Sequence, residues 1–149
     1  MPTVDGSADT EPGIRQGRSE AREGALSGLR VLVVDDNAIN LLVATRLLNW
    51  LGCVVEVRSD GLSAVERALG SELDAVLMDL HMPNMDGYEA TTLMLRRLHG
   101  AGRAPPPVFA LTADAIEGVA ERCVAHGMRG LIPKPVTRDM LMHHLQALL

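Results

Sequence analysis

The chain has 149 residues, which suits one small domain, and 47% of them are hydrophobic, enough for a packed core. Its net charge of −5 argues against a nucleic-acid-binding surface. No apolar stretch approaches the roughly 20 residues of a membrane span, and the N-terminus lacks the apolar core of a signal peptide. The two cysteines, Cys53 and Cys123, lack metal-binding spacing, so we expect reduced, buried thiols in a cytoplasmic protein without direct membrane contact.

Residues 1–28 differ in composition from the rest of the chain. They contain five glycines, two prolines and mixed charges, with almost no periodic apolar residues. This composition predicts a flexible tail or linker at 1–28, followed by one folded domain at 29–149.

From Leu29 onward, short apolar runs alternate with helical patterns. The apolar runs predict strands at 30–35, 53–58, 74–79, 107–112 and 130–133. The segments between them predict helices at 38–51, 61–70, 86–98, 115–126 and 138–148. In the first helix, apolar residues recur at helical spacing at Ile39, Val43, Leu47 and Trp50. The helix N-caps are predicted at Asp36 or Asn37, Asp60, Asp114 and Thr137, and helix ends at Gly52, Gly70 and Gly127.

Several predicted strands are apolar at every position, as in residues 31–34, which is typical of strands covered on both faces. Strands that alternate with helices imply right-handed crossovers and a parallel sheet. We therefore predict an α/β fold: a doubly wound, five-stranded parallel sheet with five helices and the flavodoxin-like order 2-1-3-4-5. Pro133 fits this order, because proline in a strand belongs at a sheet edge and the fifth strand would be one.

Four of the predicted strands end in polar side chains or are directly followed by one. The first ends in Asp35 and Asp36, the third in Asp79 and the fourth in Thr112, while Lys134 follows the fifth. The carboxyl ends of parallel strands share one edge, where such sheets bind ligands. Lys134 is the only lysine beside 13 arginines, which suggests that this position needs a compact point charge.

These groups together favour phosphoryl chemistry with a divalent cation. Three carboxylates and one ammonium sum to −2, a charge that would repel a phosphoryl donor until a divalent cation neutralised it. Hard oxygen ligands with room for water suit Mg²⁺. A carboxylate beside such a cation can attack a phosphoryl group, with positioning and charge neutralisation supplying most of the catalysis.

Four motifs, VDDNAINLLVATRLLNWLG, MDLHMPNMDGYEAT, ALTADA and GMRGLIPKPV, occur in an order and spacing that resemble the receiver domain of bacterial two-component response regulators. They look most like the receivers of hybrid sensor histidine kinases. The resemblance covers all of the chain except the predicted tail. It implies that Asp79 is the phosphoacceptor and that Asp35, Asp36 and the backbone carbonyl of His81 hold Mg²⁺ with it. Thr112 matches the family's switch hydroxyl and Lys134 its site lysine.

The resemblance also implies partners and a role. The phosphoryl donor would be a histidine kinase, or the kinase core of the same chain, and a histidine phosphotransfer protein is the candidate acceptor. We therefore expect a regulatory phosphoacceptor rather than an enzyme with its own substrate. Whether the chain is a free-standing regulator or the receiver of a hybrid kinase, on the cytosolic side of a membrane-bound protein, stays open.

Three further residues qualify the comparison. His81 and Asp114 each lie two residues beyond a site residue, and we expect their side chains to set the lifetime of the phosphorylated state, although Asp114 also suits an N-cap. Receivers usually carry an aromatic residue where this chain has Leu131, so the usual coupling between threonine and aromatic ring is not expected. The bond between Lys134 and Pro135 is predicted to be cis.

Other classes fit less well. A flavodoxin-like cofactor binder would not place Asp35 and Asp36 at its first loop, since they repel phosphate. A dinucleotide-binding domain would need a GxGxxG motif, and an aspartate-nucleophile phosphatase would need an acid where Asn37 stands. A degenerate receiver that acts as a phosphorylation-independent protein-binding module stays open as the alternative.

Overall fold

A computed structural model describes residues 21–149 of the chain. Its strands are β1 (Arg30–Val34), β2 (Val54–Arg58), β3 (Ala75–Asp79), β4 (Val108–Thr112) and β5 (Gly130–Pro133). Its helices are α1 (Ala38–Trp50), α2 (Gly61–Gly70), α3 (Gly87–Gly100), α4 (Val119–Ala125) and α5 (Arg138–Leu145), and a 3₁₀ turn (Gln146–Leu148) follows α5. None of these helices combines the length and the apolar character needed to cross a bilayer.

All strand pairs are parallel and the order is β2-β1-β3-β4-β5, which confirms the predicted topology. β3 and β4 are buried along their whole length, as their continuous apolar sequences predict. β5 lies at one edge of the sheet, where Pro133 removes no ladder hydrogen bond from an inner strand.

Helices cover both faces of the sheet and form two apolar layers. One layer joins Val76 and Met78 of β3 to residues of α2, α3 and α4 such as Met94. The other joins Leu77 of the same strand to residues of α1 and α5 such as Leu48. Alternate side chains of β3 therefore serve opposite layers, which fixes the register of the sheet between its helices.

Cys53 and Cys123 are both buried and unpaired, as predicted. Burial raises the pKa of the Cys53 thiol to about 11, so this thiol is neutral and unreactive at neutral pH.

The segment before β1 joins the fold earlier than its composition suggested. Leu26 is fully buried, and its backbone N–H donates to the carbonyl of Leu51 at 2.7 Å. The N–H groups of Gly24 and Gly28 donate to the carbonyls of Trp50 and Gly52, at 2.9 and 3.2 Å. Residues 24–28 thus close the last turn of α1, and the packed unit begins before the predicted boundary at residue 28. The rest of the predicted tail, residues 1–20, lies outside the described residues.

Asn37 is the N-cap of α1, and its side chain accepts from the N–H groups of Ile39 and Asn40. Asp60 and Thr137 cap α2 and α5 as predicted. The N-cap predicted at Asp114 is wrong. α4 begins only at Val119, after Gly118 at φ 91°, and has no side-chain cap. The N–H of Asp114 instead donates to the Thr112 hydroxyl at 3.0 Å, which holds this residue in the loop after β4.

The apolar spacing in α1 predicted the helix but does not mark its buried face. Ala44 and Leu48 are buried, whereas Ile39, Leu42 and Val43 are 66%, 48% and 42% exposed. We call these three residues the α1 apolar surface. It begins one residue after the N-terminus of α1, beside the carboxyl edge of the sheet.

Candidate functional site

The carboxyl ends of β1, β3, β4 and β5 bring the predicted site residues together. Asp35 and Asp79 are 1% and 3% exposed and Thr112 is fully buried. Lys134 is half-buried and its backbone N–H donates to the carbonyl of Thr112 at 2.8 Å. Buried charges of this kind are costly unless they are paired, so their presence at one edge marks a functional centre.

Lys134 pairs with two acids at once. Its Nζ lies 2.9 Å from Asp35 Oδ2 and 3.1 Å from Asp79 Oδ1. A rigid guanidinium fork would fit this narrow gap less well than an ammonium, which agrees with the single use of lysine in the chain. The ammonium therefore bridges the ends of β1 and β3.

Asp35 accepts hydrogen bonds through one carboxylate oxygen and faces the Lys134 ammonium with the other. Its Oδ1 accepts from the backbone N–H of Asn37 at 2.9 Å and from Asn40 Nδ2 at 3.4 Å. Its buried Oδ2 makes no well-directed hydrogen bond and has only the Lys134 ammonium as a charge partner. Our reading of the sequence missed Asn40. The signal available was an amide one helical turn after Asn37, on the side of α1 that faces the acids.

The pKa values follow from burial and charge. Burial, together with the charge of Asp35, raises the pKa of Asp79 to about 6, although hydrogen bonds from Lys134 and from the N–H of His81 oppose that shift. Burial alone would lower the pKa of Lys134, but its close ionic contacts with Asp35 and Asp79 outweigh that effect and raise it. The lysine is therefore always charged at neutral pH, and Asp79 is mostly ionised there.

The donor set fits a hard divalent cation. One carboxylate oxygen from each of Asp35, Asp36 and Asp79 lies within 4.8 Å of the others. Asp36 is exposed, so solvent reaches the cluster from its side. All-oxygen donors, an open side for water and the buried Oδ2 of Asp35 suit Mg²⁺ better than a soft metal.

The first turn of α3 packs directly behind Asp79. A side chain at Gly87 would collide with the backbone carbonyl of Asp79, and the N–H of Gly87 donates to the carbonyl of Leu80 at 3.1 Å. Asp86 and Glu89 form a capping box that fixes this turn. The close approach therefore ties the start of α3 to the residue predicted to be the phosphoacceptor.

His81 and Asp114 meet across the mouth of the site. His81 Nε2 lies 3.7 Å from Asp114 Oδ2, and both side chains are about two-thirds exposed. An exposed pair at this distance contributes little to stability. The pair joins the loops that follow β3 and β4, immediately after Asp79 and Thr112.

The loop after β5 and the face of α1 enclose a cavity of about 90 Å³ beside the acids. Val43, Ala44, Pro135 and Val136 form its apolar wall, and Lys134 lies at its polar end. The peptide bond between Lys134 and Pro135 is cis, as predicted. Leu131, which stands where the resemblance implies an aromatic residue, is partly buried and packs against the apolar layer of α2, α3 and α4.

Comparison with known proteins agrees with this geometry. The family model of the response regulator receiver domain matches residues 31–146. The chain is 37% identical over 114 residues to the transcription factor SKN7 of Saccharomyces cerevisiae, which covers 76% of this chain and 18% of that protein. It is 36% identical over 117 residues to the sensor histidine kinase RcsC of Escherichia coli, which covers 78% of this chain and 12% of that protein. It spans less than a fifth of the length of these relatives.

A solved structure with the same fold is the receiver domain of the sensor histidine kinase PA1611 from Pseudomonas aeruginosa, which has a magnesium ion coordinated in its active site cleft. The two chains are 37% identical with a TM-score of 0.71, over 81% of this chain and 97% of that one. The matched region begins at the second residue of β1 and includes the other four strands. It also includes five site residues: Asp35, Asp36, Asp79, Thr112 and Lys134. The chain therefore belongs to the response regulator receiver domain family.

Proposed function

We propose that this domain accepts a phosphoryl group on Asp79 in a Mg²⁺-dependent reaction and acts as a regulatory phosphoacceptor. The observation that carries the proposal is the ammonium of Lys134, held at 2.9 Å from Asp35 and 3.1 Å from Asp79 beside three clustered carboxylates. A scaffold with no chemistry would have no reason to bury two acids and a lysine at one strand edge.

Asp35, Asp36 and Asp79 would hold the ion, together with the backbone carbonyl of His81. Bound Mg²⁺ would offset the negative charge of the site and of the incoming phosphoryl oxygens. The relative PA1611 carries magnesium in its cleft, and the donor set of this chain suits the same ion.

Asp79 Oδ2 is the better nucleophile of the two carboxylate oxygens. Oδ1 already accepts from the N–H of His81 at 3.3 Å and from Lys134 Nζ at 3.1 Å, while no described donor engages Oδ2. Oδ2 would attack the phosphorus atom as the bond from phosphorus to the donor atom breaks, and that electron pair leaves with the donor. The product is an aspartyl phosphate. Lys134 would stay paired with the phosphoryl charge, and the Thr112 hydroxyl would donate to a phosphoryl oxygen.

The lifetime of that aspartyl phosphate would depend on His81 and Asp114. Their side chains face each other at 3.7 Å, and we infer that they flank the path by which water would reach Asp79. Bulk and charge at these two positions would control how often a water is placed in line for hydrolysis. The domain itself would turn over no substrate other than its own phosphoryl group.

The α1 apolar surface favours a phosphotransfer partner that docks beside the acids. One of its three exposed residues, Val43, lines the cavity that also contains Lys134 and Asp35, and Arg46 is the only charged residue in α1. A helical phosphotransfer protein that packs apolar residues there would bring its histidine to Asp79. The donor would be a histidine kinase, either separate or continuous with this chain, since relatives such as RcsC are sensor histidine kinases.

The test is intact mass after incubation with acetyl phosphate. We expect one phosphoryl adduct that requires Mg²⁺, is lost with chelator and is absent from Asp79→Asn. Asp139→Asn is the matched control, because Asp139 is an exposed aspartate in α5, away from the acids. If the unaltered domain formed no adduct under any condition, the degenerate receiver that signals by binding alone would be the better interpretation.

A further inference from the structure

A second cluster of side chains, outside the acidic site, fastens α4 to α3. The guanidinium carbon of Arg122 lies 4.1 Å from the ring centre of Tyr88, and the ring of His126 lies 5.0 Å from the same ring. Thr92 Oγ1 and His126 Nδ1 are 3.1 Å apart, within hydrogen-bond distance. We call Tyr88, Thr92, Arg122 and His126 the α3–α4 latch. Tyr88 is buried, while Arg122 is exposed and covers it.

The α3 side of the latch is built onto the phosphoacceptor. Tyr88 follows Gly87, whose Cα packs against the carbonyl of Asp79 and whose N–H donates to Leu80. The capping box of α3 keeps this turn in place. Tyr88 therefore has a fixed position relative to Asp79.

The α4 side of the latch is connected to Thr112 by a loop with little support of its own. Residues 113–118 are exposed, and α4 has only seven residues and no side-chain N-cap. Within residues 21–149, the Thr112 hydroxyl bonds to the N–H of Asp114 and makes no hydrogen bond with Asp79 or Lys134. A short, poorly capped helix depends on tertiary contacts for its position. The latch therefore restrains the loop that follows Thr112.

We propose that the α3–α4 latch positions Thr112, so that Tyr88 and Arg122 set how readily the threonine moves toward a phosphoryl group on Asp79. This rests on the proposed function. Leu131 offers no ring that could follow the threonine, whereas the latch supplies an aromatic ring from α3 and a cation from α4, the helices that follow the two loops of the site. In the latched arrangement, the threonine stays with Asp114. Movement of Thr112 displaces the start of α4 and strains the Tyr88–Arg122 contact.

The experiment measures two affinities by titration calorimetry on the whole chain. The first is the affinity for Mg²⁺ alone, which depends on the acids. The second is the affinity for beryllofluoride at saturating Mg²⁺, a non-covalent phosphoryl mimic that also needs Thr112 and Lys134. The variants are Arg122→Gln, Tyr88→Phe, which keeps the ring under the guanidinium, and Arg129→Gln, an exposed arginine outside the latch, as the control.

We expect Arg122→Gln to bind beryllofluoride about two- to fivefold more tightly, the size of an exposed cation–π contact, with Mg²⁺ affinity unchanged. Tyr88→Phe and Arg129→Gln should both stay close to the unaltered protein. Unchanged or weaker binding of beryllofluoride by Arg122→Gln would overturn the latch, as would an equal change in Mg²⁺ affinity. Failure of the unaltered protein to bind beryllofluoride at all would instead overturn the proposed function.

Discussion

The two ends of the same sheet are built in opposite ways. At the carboxyl end, Asp35 and Asp79 are buried beside each other and share one lysine. At the amino end, Leu26 is buried among apolar side chains, and the segment around it supplies backbone donors to the last carbonyls of α1. The carboxyl end brings like charges together, whereas the amino end gives hydrogen-bond donors to backbone carbonyls at the end of α1.

The difference shows where stability and chemistry are separated in this fold. Burying like charges opposes folding, and only a partner such as Lys134 makes it tolerable. Closing a helix end with backbone hydrogen bonds and a buried leucine favours folding and brings no chemistry. Changes at the carboxyl end should therefore alter reactivity more than stability, and changes at the amino end should do the reverse.

The largest effect on function is expected from Asp79→Asn. It should abolish acetyl-phosphate-dependent phosphorylation, since no other described carboxylate accepts from both Lys134 and the N–H of His81. It should also stabilise the fold at pH 7, because it removes a carboxylate whose pKa is raised to about 6. The sign follows from linkage: between pH 4 and 6 the folded protein holds this proton more tightly than the unfolded chain, so ionisation above that window disfavours folding.

The measurement for this stability effect is urea unfolding of Asp79→Asn and the unaltered protein at several pH values. The gain in unfolding free energy should grow from pH 4 to pH 6 and then level off at about 3 kcal/mol. A gain that is the same at pH 4 and pH 7 would mean that the charge of Asp79 does not disfavour folding.

At the amino end, Leu26→Ala should lower the unfolding free energy by about 2–5 kcal/mol, because it removes a fully buried leucine from the α1–α5 layer. Phosphorylation of the remaining folded protein should proceed as before. Leu62→Ala, at a leucine that is 47% exposed, is the control and should change stability little. A loss of phosphorylation in folded Leu26→Ala would show that the two ends are coupled.

Asn40→Ala should weaken Mg²⁺ binding about tenfold with little loss of stability, since residues that orient metal ligands commonly have effects of this size. Its amide donates to Asp35 Oδ1, while Asp35 Oδ2 makes no hydrogen bond and lies 2.9 Å from the Lys134 ammonium. Asn49→Ala, at an exposed asparagine near the other end of α1, should leave Mg²⁺ affinity unchanged. Calorimetric titration of both variants distinguishes a local effect on Asp35 from a general effect of losing an asparagine in α1.

The smallest effect is expected from the pair at the mouth of the site. Replacing His81 and Asp114 together by alanine should change the rate of aspartyl-phosphate loss several-fold and leave the unfolding free energy almost unchanged, because both side chains are exposed. Decay of the adduct followed by intact mass gives the rate. An unchanged rate would show that these side chains do not control access of water to Asp79.

The sequence predicted the sheet well because most of its strands are runs of apolar residues and the helical patterns lie between them. It also predicted that Asp35, Asp79, Thr112 and Lys134 meet, because parallel strands place their carboxyl ends together. Those inferences need only the order of elements along the chain.

What the sequence did not predict depends on contacts between distant residues. Periodicity could not tell which face of α1 is buried, because Ile39 and Val43 have the same spacing as a core face. Asp114 matched the composition of an N-cap, but its backbone bonds to Thr112. Leu26 lies in a glycine-containing segment whose composition predicts a flexible linker. The contact between this segment and the end of α1 joins residues about 25 positions apart, and composition does not reveal it.

The bridging lysine has a spectroscopic consequence. Since Lys134 is the only lysine in the chain, selective ¹⁵N labelling of lysine side chains places the isotope on a single ammonium group. Its raised pKa and half-buried position keep that group protonated and slow its exchange with water. The chemical shift of this single resonance would therefore report on ligand binding between Asp35 and Asp79 during a titration with Mg²⁺ or beryllofluoride, without further assignment.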